Sequence, residues 1–191
     1  MSTLLDLYAR KVVGWAMSSR CDTPLVQDTL QMALGRRHPA AGLLHHADRG
    51  SQYASDAYQD LLGAHGIVCS MSRKGECLDN AVAERFFGSL KRAWTAHRSY
   101  ATRQEARDDI IAYIEMFYNS RRQHSYLGYF SPNAYEKLAR LASLSVLFSL
   151  TTTTDRVREE VVGGSSWAIS GVTEYRSRNA GYPAPPAQIR T

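Results

Sequence analysis

Apolar positions near the start of this chain alternate in the manner of a sheet. Leu4, Leu5 and Leu7 lead into Tyr8-Ala9-Arg10, and Lys11-Val12-Val13-Gly14-Trp15-Ala16-Met17 follows. The β-branched pair and Trp15 suit a pleated surface, so residues 4–17 predict strand, turn, strand. The first strand begins almost at Met1 and reads as cut short. Asp22-Thr23-Pro24 is a helix-start signal. Leu25, Leu30 and Leu34 then recur near a helical period, and Gly35 and Pro39 mark its end. Leu43-Leu44-His45-His46 predicts a buried strand running into Ala47-Asp48-Arg49-Gly50-Ser51. A short helix is expected over residues 55–65, a strand over Ile67-Val68-Cys69-Ser70-Met71, and a basic loop with Arg73, Lys74 and Gly75 after it.

The pattern then turns helical. A long helix is predicted from about Asn80 to Ala96, with Asp79 as N-cap. Thr102 and Glu105 form a capping box for the next helix, on which Ala106, Ile110, Tyr113, Ile114 and Phe117 make one apolar stripe. Ser131-Pro132 opens a last short helix through about Leu141. Strands alternating with helices indicate an α/β layered domain, and the opening hairpin makes its sheet mixed rather than purely parallel. No internal repeat is visible. After residue 142 periodicity weakens and Gly, Ser, Thr, Pro and Arg dominate, so residues 143–191 are expected to form an unrelated, unstructured tail.

Composition narrows the picture modestly. The 191 residues carry a net charge of +5, and residues 1–142 hold 18 Lys/Arg against 14 Asp/Glu. Such an excess is compatible with a polyanion partner without establishing one. Three cysteines with no C-x-x-C pair argue against a disulfide framework and against a thiolate zinc site, leaving a reducing cytoplasm as the default. No apolar run approaches the ~18 residues of a membrane span. The N-terminus, with Asp6, Arg10 and Lys11 around a short apolar patch, lacks the order of a signal peptide.

Two carboxylates carry the candidate chemistry. Asp48 sits where a buried strand ends, the position at which open α/β sheets place ligand-binding groups. Glu84 sits one turn inside the long helix, with 35 residues lying between the two. One helix, one strand and one loop fill that interval, enough chain to return beside the first strand. Carboxylates brought together this way repel unless a cation lies between them, and hard divalent ions take such oxygen ligands. Helical spacing puts Glu84 on one face with Asn80, Gly88 and Lys91, opposite Val82, Phe86 and Ala93, which suit a core. By spacing alone, Glu84 reads more readily as one more solvated helix glutamate.

Three blocks carry a resemblance. His46-Ala47-Asp48-Arg49-Gly50-Ser51-Gln52-Tyr53 resembles the H-S-D-R-G-S-Q-Y motif of bacterial insertion-sequence transposases with a retroviral-integrase-like core, with Ala47 in place of Ser. Asp79-Asn80-Ala81-Val82-Ala83-Glu84-Arg85-Phe86-Phe87-Gly88-Ser89-Leu90-Lys91 resembles that family's D-N-A-x-A-E-x-F-F-x-x-L-K. Tyr118-Asn119, Arg122, His124, Leu127-Gly128 and Ser131-Pro132 resemble its ending. The match spans about residues 4–142, taken here as a partial catalytic core. It implies an RNase H-like fold, Mg²⁺ or Mn²⁺ dependence, cleavage of transposon ends and strand transfer by a 3′-hydroxyl. It also implies target DNA as partner, a homo-oligomer in the intact family, and a cytoplasmic protein that is nucleoid-associated when bound to DNA. Asp48 and Glu84 correspond to the second and third carboxylates of the family's DDE triad. The first lies on an opening strand that this sequence is expected to lack, and Asp6 matches an aspartate outside the triad. The 191-residue chain alone is therefore expected to be inactive.

Arg73, Lys74 and Lys91 are the candidate DNA contacts around the carboxylates. His45 and His46 face opposite ways on a strand, so they cannot share a metal; His46, on the Asp48 side, is placed to hydrogen-bond near the site. His124 reads as a structural or DNA-backbone residue, and Tyr113, Phe117 and Tyr118 as core. The alternatives to a transposase core are a non-catalytic remnant that binds DNA or a partner, and another RNase H-like nuclease such as a resolvase. No nucleophile elbow supports a Ser-His-Asp hydrolase.

Overall fold

The computed structural model describes residues 1–48, 50–71, 81–151 and 168–170. Arg49, the loop with Arg73 and Lys74, and the expected Asp79 cap lie outside them. The N-terminal hairpin is present: β1 (Ser2–Leu5) pairs antiparallel with β2 (Val12–Ala16), Ser2 opposite Ala16, with a register irregularity between Leu4 and Leu5. Asp6 shapes the turn by accepting the Tyr8 N–H at 2.9 Å on Oδ1. Arg10 closes it in the left-handed region at φ 56°.

Helix α1 (Thr23–Arg37) starts where the sequence predicts, with Asp22 Oδ1 accepting the Leu25 N–H at 3.3 Å. It lies directly on β2 because Gly14 has no side chain: a Cβ there would stand 2.4 Å from the Thr29 carbonyl oxygen. The parallel pair β3 (Leu44–Ala47) and β4 (Val68–Met71) is joined through α2 (Asp56–Ala64), with Ala47 opposite Met71.

The two long helices depart from the uniform α-helix that a 3.6-residue reading predicts. Helix α3 (Ala81–Ser89) passes into a π-helical segment, Leu90–Thr95, and α4 (Arg103–Ala112) passes into another, Tyr113–Tyr118. Rings from the two widened turns pack together, Trp94 stacking on Phe117 at 5.4 Å and tilting against Tyr113 at 5.3 Å. Hydrophobic spacing cannot reveal such an insertion, because it depends on which rings meet across helices. Thr102 caps α4 by accepting the Glu105 N–H at 3.1 Å, as expected.

Helix α5 (Pro132–Thr151) extends beyond the predicted end near Leu141. β5 (Ala168–Ser170) pairs antiparallel with β1, on the edge opposite β2, and also touches β3. The architecture is thus mixed α/β, with the described strands in a three-stranded sheet, order β2-β1-β5, and a two-stranded sheet, β3-β4.

Alternation on the strands divides the core in two. Leu4 and Val13 point to one face, with Val26, Leu30 and Ala33 of α1 and Tyr58 and Leu62 of α2. Leu5 and Val12 point to the other, with Phe86, Leu90, Tyr113, Ile114 and Tyr118. Helices therefore cover both faces, as a layered α/β domain requires. No helix among the described residues is long and apolar enough to cross a membrane.

Candidate active site

Asp48 stands one residue beyond β3. The segment after it folds back tightly. The Gly50 N–H donates to Asp48 Oδ1 at 2.8 Å, and the Gly50 carbonyl accepts the Tyr53 and Ala54 N–H groups at 3.0 and 3.2 Å. A Cβ at Gly50 would lie 2.9 Å from Asp48 Oδ1 and 2.7 Å from the Gln52 side-chain nitrogen, so a larger residue there would have to displace those side chains. Tyr53 is fully buried beneath, its hydroxyl pushed to a higher pKa by burial. Gln59 Nε2 donates to the Tyr53 carbonyl at 2.7 Å and fixes this loop to α2. Asp48 itself is half-buried.

Glu84 is exposed on the first turn of α3. Its direction follows from its neighbours: Ala83 and Phe86 are buried, and Phe86 packs edge-on against Tyr118 at 4.9 Å. With that face fixed in the core, Glu84 faces away from it. Lys91 is exposed in the π-helical continuation, where its carbonyl accepts the Ala96 N–H in an i→i+5 bond. Ala93, expected in the core, is exposed, because the widened turn falls between it and Phe86. Arg73 and Lys74 lie outside the described residues.

Neither Asp48 nor Glu84 enters an ion pair among the described residues. Among the described residues, no three or more His, Cys, Asp or Glu side chains gather into a metal cluster.

The histidines divide as strand alternation predicts. His45 is buried, its Nε2 3.2 Å from the Tyr58 hydroxyl, and burial lowers its pKa to about 3. His46, half-buried, lies 3.0 Å through Nδ1 from Ser70 Oγ on β4, across the parallel pair. Asp6 is structural. It is buried, lies 3.8 Å from Arg37, and burial raises its pKa to about 7 although Arg37 opposes the shift. Arg37 and Lys11 both pair with Glu136 of α5, tying the hairpin and α1 to that helix.

The third sequence block is largely architectural. Buried Asn119 accepts the Val12 N–H and donates to the Val12 carbonyl, both at 2.9 Å, as a neighbouring strand would. Leu127 is buried, Gly128 turns at φ 65°, and the Ser131 carbonyl accepts the Tyr135 N–H at 2.9 Å in the first turn of α5. Sequence reasoning missed one feature. Arg10, Arg85, Arg92 and Arg122 converge on a cleft of about 430 Å³ beside α3, with His124 and Tyr126 also lining it. Arg85 and Arg122 belong to the second and third sequence blocks, but the four arginines are scattered over more than a hundred residues, so no local motif announces their convergence.

Residues 1–77 and 65–132 match two family models, each described as an integrase core domain. The transposase of insertion sequence element IS904 from Lactococcus lactis is 47% identical over 133 residues, covering 70% of this chain and 53% of that protein. An uncharacterized 31 kDa protein of insertion element IS600 from Shigella sonnei is 43% identical over 144 residues, covering 75% of this chain and 53% of that protein. Transposase InsF of insertion sequence IS3A from Escherichia coli is 43% identical over 136 residues, covering 71% of this chain and 47% of that protein. The chain thus spans about half the length of the relatives it matches.

Proposed function

This chain belongs to the insertion-sequence transposases with an integrase core domain, and from that premise we propose that it contributes to metal-dependent cleavage of transposon-end DNA and to strand transfer. The observation carrying this reading is the setting of Asp48. It is a half-buried carboxylate just past the end of a parallel strand, held through one oxygen by the Gly50 N–H. That is where open α/β sheets present ligand groups.

Asp48 and Glu84 would hold Mg²⁺ or Mn²⁺, whose chemistry in such sites is to activate a water or hydroxyl and stabilise the leaving oxygen of a phosphodiester. The protein's own contribution is positioning. The turn after β3 fixes Asp48, and the buried face of α3 directs Glu84 outward. Lys91, with Arg73 and Lys74, would neutralise DNA phosphates beside the carboxylates. Joining two transposon ends would call for more than one copy of the core.

The test is strand transfer on transposon-end DNA by the complete transposase containing this core. Asp48→Asn and Glu84→Gln are each expected to lower turnover by at least a hundredfold while leaving DNA binding within a fewfold. Retention of turnover by either variant would remove that carboxylate from the site. Loss of binding together with turnover would favour the non-catalytic DNA-binding reading.

A further inference from the structure

The arginine cleft lies on a different face of α3 from Glu84. Its lining includes Arg85, Phe86, Ser89 and Arg92 of the helix, Arg10 from the hairpin turn, and Arg122 and His124 after α4. Four guanidinium groups thus border one cleft with no carboxylate among the described lining residues. None of the four pairs with a carboxylate among the described residues, whereas Arg36, Arg37 and Arg98 do. Like charges gathered without counter-charge repel each other, and an anion in the cleft would relieve that repulsion.

Two further observations point to a ligand. Arg122 Nε and His124 Nε2 are buried from solvent and have no hydrogen-bond partner among the described residues, a condition that native proteins rarely leave unexplained. Arg122 is otherwise held in place, hydrogen-bonding Ser89 Oγ and lying 5.9 Å from the Tyr118 ring. Tyr126, which lines the cleft, is 58% exposed with Arg10 4.2 Å over its ring, and Tyr129 and Phe130, a few residues on in sequence, are also exposed. Guanidinium groups with exposed rings beside them are the elements from which single-strand binding grooves are built, phosphates on the cations and bases on the rings.

We propose that this cleft binds the phosphodiester backbone of a single DNA strand, with a base stacked at Tyr126. The site is separate from the Asp48 and Glu84 carboxylates and would hold a strand leaving them around α3. Burial, with Arg122 and Arg10 beside it, lowers the His124 pKa to about 4. The ring therefore enters as a neutral group that can donate or accept one hydrogen bond, while the arginines supply the charge. The proposal rests on reading the chain as part of a DNA-processing core. Its test uses no metal and no turnover, so it can fail independently of that reading.

The experiment is fluorescence anisotropy of labelled oligothymidylate with the purified chain in EDTA across a sodium chloride series. Arg85 and Arg92 are exposed, so Arg85→Ala/Arg92→Ala should preserve the fold, checked by circular dichroism. That variant is expected to bind at least tenfold more weakly at low salt. Its slope of log affinity against log salt should flatten by roughly 0.7 for each phosphate no longer neutralised. Arg85→Lys/Arg92→Lys should restore most of the slope. Tyr126→Ala should weaken oligothymidylate binding without changing the slope, because stacking carries no charge. An unchanged affinity and slope in the double-alanine variant would overturn the site. So would an equal flattening in Arg103→Ala, outside the cleft, since attraction would then be diffuse. Blunt duplex bound as tightly as oligothymidylate, with the same weakening in the variant, would overturn the single-strand assignment.

Discussion

Single residues here do work that their chemical type alone does not announce. Asn119 is a buried amide that replaces a strand neighbour for Val12, satisfying a backbone donor and acceptor that would otherwise be stranded. Asp6 and His45 are ionisable groups enclosed by the fold, and each moves toward its neutral form. The linkage signs differ. His45 has a folded pKa of about 3 against an ordinary value of 6.5, so its contribution to stability is complete above pH 6.5 and is lost as pH falls toward 3. Asp6 is raised to about 7, so its contribution runs the other way, falling as pH rises from 3.8 to 7. His45→Gln should therefore be less stable than the parent at pH 7.5, and the gap should narrow by pH 5. Urea midpoints at the two pH values measure this. A constant gap would mean that the fold does not shift the His45 pKa from its unfolded value.

At the scale of elements, contact between backbones decides more than propensity does. Helix α1 sits on β2 because Gly14 presents no side chain to the Thr29 carbonyl, 2.4 Å from where a Cβ would be. Both partners are backbone, so neither can rotate away. Gly14→Ala should force α1 off the sheet and cost roughly 1–3 kcal/mol, read as a lower thermal midpoint. If the midpoint holds and the Leu30 and Val26 packing is unchanged by crystallography, the close approach is not what positions α1. The π-helical turns at Leu90–Thr95 and Tyr113–Tyr118 belong to this scale too, since Trp94, Tyr113 and Phe117 meet where both helices widen.

For the molecule as a whole, β5 is the telling element. An open strand edge is a template for pairing with other chains, and Ala168–Ser170 covers the edge of β1 that faces away from β2. Removing residues 152–191 should uncover that edge and increase self-association, seen by light scattering or as a shift to larger species in size-exclusion chromatography. A truncated chain that stays monomeric with an unchanged melting profile would mark the tail as dispensable. The sequence by itself determined the strand and helix order as far as the start of α5, the hairpin, the caps at Asp22 and Thr102, and the positions of Asp48 and Glu84. Each of these is written in short-range spacing or in a local motif. Only the tertiary structure decided what lies outside that range. It placed β5 on β1, assigned Asn119 to Val12 and widened the two helices where their rings meet. It also drew Arg10, Arg85, Arg92 and Arg122 into one cleft. Those features join residues far apart in the chain, and their partners are set by packing across layers, which no local period records.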